Sequence, residues 1–181
     1  KTRMYEMEEA LVLKEKFDFN RVLEIYAQWD TNYAKTVQAD LDYIYEKAAI
    51  PTVRHKNSKW VDNCNILLGK TRFYACKNDS SALMFKYVNT HGTEDKDRHE
   101  ALILLMRTYL RDNLIRYAYE VKSYLEKEEL TNVNKHEFQL ACAEYARADD
   151  SDYKTMLVHM EEAIKYARAG TKLRANNLTR Y

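Results

Sequence analysis

The residues of this 181-residue chain with most chemistry to offer are five histidines, three cysteines and fifteen tyrosines. His55, His91, His99, His136 and His159 never stand four apart, and no H-E-x-x-H or C-x-x-C run is present. His99-Glu100 falls at a charged helix start and reads as a solvated face. Cys64, Cys76 and Cys142 are an odd set, so one is left over from any disulfide framework. Cys64 and Cys76 fall on one predicted helix, about 18 Å apart at 1.5 Å per residue, too far to pair. All three lie among apolar neighbours and are expected to be buried small hydrophobes. Neither a G-x-S-x-G elbow nor a glycine-rich phosphate loop occurs. The carboxylate pairs Glu8-Glu9, Glu128-Glu129 and Glu161-Glu162 are sequential, so they diverge on a helix. These patterns argue against an enzyme, and they imply no cofactor and no metal. The tyrosines are expected to be half-buried packing residues with hydroxyls at the surface, a minority serving with arginines as binding anchors.

The elements that would carry these residues are helices. Gly occurs three times and Pro once, so few turns need positive φ or a rigid kink. Lys and Arg total 29 against 28 Asp and Glu, interspersed, which argues against a nucleic-acid partner. The short basic runs, Arg54-His55-Lys56 and Lys172 with Arg174, read as solvated helix ends. No stretch approaches the roughly 18–20 apolar residues of a membrane span. Lys1 to Tyr5 lacks the apolar core of a signal peptide, and the chain starts without Met, as a piece of a longer protein would.

Helical spacing runs from Met4 to Lys16 and less regularly from Phe17 to Trp29. Asp30-Thr31-Asn32 predicts a helix start, followed by a face of Tyr33, Val37, Leu41, Ile44 and Tyr45 that Pro51 should bend or stop. Asn57-Ser58 offers an N-cap. Helices then follow at roughly 58–76, 79–91, 96–110, 113–128, 134–148 and 151–169. The breaks are Lys77-Asn78-Asp79, His91-Gly92-Thr93, Arg111-Asp112-Asn113, Leu130-Thr131-Asn132 and Ala148-Asp149-Asp150, short enough to force antiparallel packing. Gly170 is placed to close the last full helix.

Internal periodicity gives these helices an order. In a tetratricopeptide unit a small residue lets helices A and B approach, and large residues fill the groove beside it. Leu68, Gly69, Ser81, Phe85 and Val88 fall on the expected offsets of a first unit, whereas Asn65 and Arg72 do not match by type. Leu105, Met106, Tyr109, Ala118 and Leu125 form a second, 37 positions on against about 34 for the usual unit. Leu140 and Ala141 with Tyr153, Met156, Met160 and Ala163 form a third, with extra residues between its helices. The expected fold is an all-α solenoid of tetratricopeptide-like helix pairs; a plain antiparallel helical bundle is the alternative. The expected organisation is N-terminal helices at 1–56, three repeats at 57–170 and the start of a truncated further repeat at 171–181.

Such arrays bind proteins in the concave groove lined by the A helices. Counted from Gly69, the groove candidates are Asn63, Ile66, Lys70 and Tyr74 in the first repeat. Glu100, Arg107 and Arg111 follow in the second, and Lys135 and Tyr145 in the third. Together they would make a mildly basic, tyrosine-bearing groove suited to an extended or acidic peptide. On this reading Arg107→Glu spares the fold and weakens binding, while Gly69→Leu overpacks a helix crossing.

Several runs are similar to one family. Arg54-His55-Lys56-Asn57-Ser58-Lys59-Trp60-Val61-Asp62 leads into Leu67-Leu68-Gly69-Lys70-x-Arg72-Phe73-Tyr74. Phe85-Lys86-Tyr87-Val88-Asn89-Thr90, Arg98-His99-Glu100-Ala101-Leu102 and Leu105-Met106-Arg107-Thr108 follow, with Leu41-Asp42 and Lys47-Ala48 upstream. The chain resembles, over roughly residues 30 to 181, the PorW/SprE family of tetratricopeptide lipoproteins in the type IX secretion system of Bacteroidetes. The resemblance implies a periplasmic protein anchored to the outer membrane by an N-terminal lipid outside this chain. It also implies a role in secretion and gliding motility, connecting the periplasmic ring and motor to the translocon with a PorN-like ring protein as contact. It brings no catalytic residue. The competing expectation is a cytosolic repeat module of a signalling or transcriptional regulator that binds a peptide or protein, motivated by the free cysteines.

Overall fold

The computed structural model describes residues 31–149 and 152–167, with backbone alone for 31–37. The expected helices before Thr31, the Gly170 stop, the Lys172–Arg174 run and the segment 171–181 lie outside the described residues. Seven helices account for most of what is described: α1 (Thr31–Arg54), α2 (Val61–Tyr74), α3 (Asn78–His91), α4 (Asp95–Arg111), α5 (Ile115–Leu125), α6 (Asn132–Asp149) and α7 (Tyr153–Tyr166). No strand occurs among the described residues. The chain is all-α, with neighbouring helices packed on each other as a helix-pair repeat requires. It divides into two compact units, one ending at Thr93 and the other beginning at Glu94.

In the first unit α2 packs against both α1 and α3. Ile44 and Ala48 of α1 meet Leu67 and Leu68 of α2, with Tyr45, Ala49 and Met84 closing around them. The crossing of α2 and α3 is set by Gly69. A Cβ built there would stand 2.4 Å from Phe85 Cε1 and within 3.0 Å of two further ring atoms, so only glycine admits the ring. Ser81, Phe85 and Val88 are all buried on the facing side of α3. The register expected for the first repeat is therefore the register observed.

Pro51 neither stops nor ends its helix: α1 continues to Arg54. Proline removes one N–H donor, and so near the C-terminus the remaining turn closes without it. His55 N–H donates to the Pro51 carbonyl at 2.9 Å and Thr52 Oγ1 to the Ala49 carbonyl at 2.8 Å. The Asn57-Ser58 cap is likewise displaced, because α2 begins at Val61 with Trp60 before it and no side-chain cap. Ser58 instead ties the connection, its Oγ accepting from Trp60 N–H at 3.4 Å. Asp62 takes over the far end of the unit by accepting from Thr93 N–H at 2.9 Å and Thr93 Oγ1 at 3.0 Å. Arg72, which fits no repeat position by type, lies 3.6 Å over the Tyr45 ring and 3.7 Å from Asp42. It fastens α2 to α1 by stacking.

In the second unit α4 packs on α5 and α6, and α6 packs on α5 and α7, so two helix pairs stack in solenoid fashion. Coverage on two sides explains why every residue from Ala101 to Thr108 is buried, where a surface helix would bury a single stripe. Met106, Ala118 and Leu125 are buried at the offsets held by Gly69, Ser81 and Val88. Lys122 stands where the first repeat has Phe85; it is half-buried, pairs with Glu126 at 2.5 Å and lies 5.9 Å over the Tyr145 ring. In the third pair Ala141 and Ala163 are buried, and Met156 and Met160 half-buried.

The repeat is visible in how helices end. α2 and α4 each close through a residue in the left-handed region, Cys76 (φ 56°) and Asn113 (φ 57°). Lys77 N–H reaches back to the Arg72 carbonyl at 2.9 Å and Leu114 N–H to the Tyr109 carbonyl at 2.8 Å, the same six-to-one bond. Cys76 and Asn113 are separated by the interval that separates Gly69 from Met106.

α7 starts on Asp152, whose carboxylate accepts from Lys154 N–H at 3.1 Å, Thr155 N–H at 3.0 Å and Thr155 Oγ1 at 2.6 Å. These bonds, Thr155 Oγ1 first, hold its carboxyl below the usual carboxylate range. A depressed folded pKa adds stability above the unfolded value, lost as pH falls through the folded one. The first turn of α7 is thus expected to lose amide-exchange protection as pH drops below about 4, and Asp152→Ala to show that loss at neutral pH.

Candidate partner-binding surface

The expected groove residues divide between the two units. In the first, Asn63 and Lys70 are half-buried on α2, each already engaged in an interaction. Ile66 is 0 % exposed and Tyr74, edge-on to Phe73 with ring centroids 5.3 Å apart, is buried as well. Both serve the core. A pattern anchored on one crossing turns both outward because it does not register that α2 is covered on more than one side.

In the second unit Glu100 is half-buried and Arg111 exposed, and both are engaged in interactions. Arg107 is 7 % exposed. Its Nε donates to Glu144 Oε2 at 3.0 Å and its Nη2 to Glu144 Oε1 at 2.7 Å, while Nη1 lies 3.8 Å from Glu137 Oε2. This two-pronged arrangement crosses from α4 to α6 and fixes one helix pair on the next. Arg107 is accordingly a structural clamp, and with this geometry Arg107→Glu is expected to disturb the fold rather than spare it. Charge sign and face were legible in the sequence; its partners, Glu137 and Glu144 on a different repeat, were not.

Lys135 and Tyr145 make other contacts. The Lys135 ammonium lies 5.8 Å over the Tyr166 ring at the end of α7. Tyr145 O–H donates to Asp149 at 3.1 Å, and its ring faces Tyr119 at 6.5 Å on α5. Positions 100, 107 and 111 share a face of α4, while Lys135 and Tyr145 on α6 are engaged with α7 and α5.

Further polar ties seat α6. Asn134 Nδ2 donates to the Lys96 carbonyl at 2.8 Å, and His136 Nδ1 lies 2.9 Å from the Ala163 carbonyl on α7. His99 Nε2 stands 3.5 Å from Glu128, and His159 Nδ1 2.7 Å from Gln139 Oε1. Burial holds the His159 pKa down, which keeps the ring neutral in its contact with Gln139. Among the described residues no group of three His, Cys, Asp or Glu is placed to hold a metal ion. No helix among them is long and apolar enough to cross a membrane.

The cysteines do not share one environment. Cys64 and Cys142 are buried, and burial pushes the Cys142 thiol up to about 12. Cys76 is exposed, against the expectation from its apolar neighbours, because the left-handed turn that ends α2 swings its side chain outward. In the native protein a thiol reagent at pH 8 is expected to label Cys76 fast and the other two only on unfolding. Cys76→Ser should remove the fast phase; a fast phase that survives would place the reactive thiol elsewhere.

Several exposed apolar and aromatic side chains lie outside the expected groove. Val53 is 69 % exposed and Trp60 37 %, at the two ends of the α1–α2 connection, and Tyr117, Tyr119 and Tyr124 stand out along α5. Composition around Arg54-His55-Lys56 was the signal available for the first of these. Together, the antiparallel pairs, the glycine crossing and the stacking of α6 on α4 define an all-α protein of helix-repeat type. No family model, curated protein or solved structure matches the chain.

Proposed function

We propose that the chain is a non-catalytic adaptor that works by holding other proteins on a scaffold of helix pairs. The observation that carries this reading is the Gly69–Phe85 crossing with its buried companions Ser81 and Val88, the packing device of tetratricopeptide units. Such units present rigid helix faces and loops to partners.

The resemblance to the PorW/SprE family supports a specific setting. In it the protein is a periplasmic component of type IX secretion and gliding motility, tethered to the outer membrane through a lipid beyond this chain. It would link ring and motor proteins, a PorN-like protein among them, to the translocon. The test is a pull-down from envelope extract of a Bacteroidetes species with this chain as bait. Recovery of ring or translocon proteins supports the adaptor reading; recovery of cytosolic regulators supports the alternative, and recovery of neither removes both from this part of the protein.

That alternative, a cytosolic repeat module of a signalling or transcriptional regulator, is favoured by one observation. Cys76 is an exposed free thiol, better suited to a reducing compartment than to an oxidising one.

A further inference from the structure

From Lys47 to Val61 the chain carries Lys47, Arg54, Lys56 and Lys59 and no Asp or Glu, although exposed Asp42 and Glu46 stand just before it and the whole sequence is balanced to within one charge. This concentration lies on an ordered connection. Successive turns are closed by His55 N–H to the Pro51 carbonyl at 2.9 Å, Ser58 N–H to the His55 carbonyl at 2.9 Å and Val61 N–H to the Ser58 carbonyl at 3.1 Å. Arg54, Lys56 and Lys59 are exposed on it, beside the exposed Val53 and Trp60. The Lys59 ammonium lies 4.9 Å over the Trp60 ring, which keeps a cation and an aromatic surface together. On α1 the Lys47 ammonium lies 5.4 Å over the exposed Tyr43 ring. Positions 43, 47 and 54 share one face of a helix, so that stripe leads into the connection. Asp62, the first acid beyond, is buried and spent on Thr93.

We propose that the Tyr43–Lys47–Arg54 stripe and the Lys56–Trp60 turn form a docking site for an acidic segment of a partner protein, with apolar residues between its carboxylates. The site rests on the reading that the chain works by holding another protein, and names the chemistry of what it holds. Cations interleaved with Tyr43, Val53 and Trp60 answer to alternating carboxylates and apolar side chains. A pre-closed turn loses little entropy on binding. An anionic membrane is answered less well, since the apolar part is one indole and one phenol ring, each already faced by a lysine, and a valine on the flank of a helix.

The test uses the whole chain and three fluorescent probes: a short peptide alternating Glu with Leu, its Gln-for-Glu twin, and phosphatidylglycerol vesicles. The acidic peptide is expected to bind, the twin not, and salt to weaken binding. Lys56→Glu with Lys59→Glu should weaken it about tenfold, and Arg116→Glu with Lys127→Glu, basic positions elsewhere, should leave it unchanged. Equal binding of the twin, equal loss in both double variants, or preference for vesicles would overturn the site. Using the Lys56/Lys59 variant as bait in the envelope pull-down separates the two readings. If wild type and variant capture the same secretion proteins, this site falls while the adaptor reading stands; if wild type captures none, the adaptor reading falls and the peptide result decides the site.

Discussion

Replacing Gly69 by Leu is expected to lower the stability of the first unit by roughly 2 kcal/mol, the upper end of the net of overpacking and helix propensity. Overpacking a filled core costs about 1–3 kcal/mol and occasionally more. Leucine recovers about 1 kcal/mol of helix propensity against glycine. The steric term wins because even the first added carbon would sit 2.4 Å from a ring atom of Phe85, which is itself fully buried. To make room, the ring must leave its rotamer or α2 and α3 must separate, and either opens the contacts of Ser81 and Val88. Urea unfolding followed by tryptophan emission, with Trp60 just before α2, measures the effect in the unit concerned. Phe85→Leu in the same chain should restore part of the loss, because it shortens the group that clashes. An unchanged midpoint for Gly69→Leu would mean that the crossing is not the one described.

Arg107→Glu should be comparably damaging in the second unit, at roughly 2–4 kcal/mol. Removing one partner from a buried ion pair costs about 3–5 kcal/mol, reduced here because Glu137 and Glu144 keep about a third of their side-chain surface in water. The substitution would leave a carboxylate facing two others and break both prongs to Glu144. Arg107→Met is expected to cost less, since an apolar chain of similar length removes the buried charge along with the pair. The exchange Arg107→Glu with Glu144→Arg should recover part of the stability, a coupling that only neighbouring side chains show. Loss of partner binding with no loss of stability in Arg107→Glu would return Arg107 to the role the groove count gave it.

These two expectations also mark how far sequence reasoning reached. Gly69, Ser81, Phe85 and Val88 share one helix pair joined by a short turn. Their meeting follows from helical period and loop length, and the sequence pattern found it. Arg107 belongs to a contact between pairs, α4 on α6, for which no local spacing rule exists. Its type and face made it a groove candidate; only the position of Glu144 and Glu137 shows that its charge is already answered. Ile66 and Tyr74 misled for a related reason: a helix covered on several sides buries residues that a one-sided count turns outward.

Helix class, the six consecutive elements after Ser58 and the register of the first crossing were determined by the sequence itself. They depend on composition, period and breaks within a few turns of chain. Pro51 within α1, the late start of α2 and the outward thiol of Cys76 were decided by how backbone groups close at helix ends, which identity alone leaves open. The Arg107 clamp was decided by tertiary packing. Contacts between residues far apart in sequence depend on how one helix pair settles on the next. That is fixed by the summed fit of many side chains, and no single spacing records it.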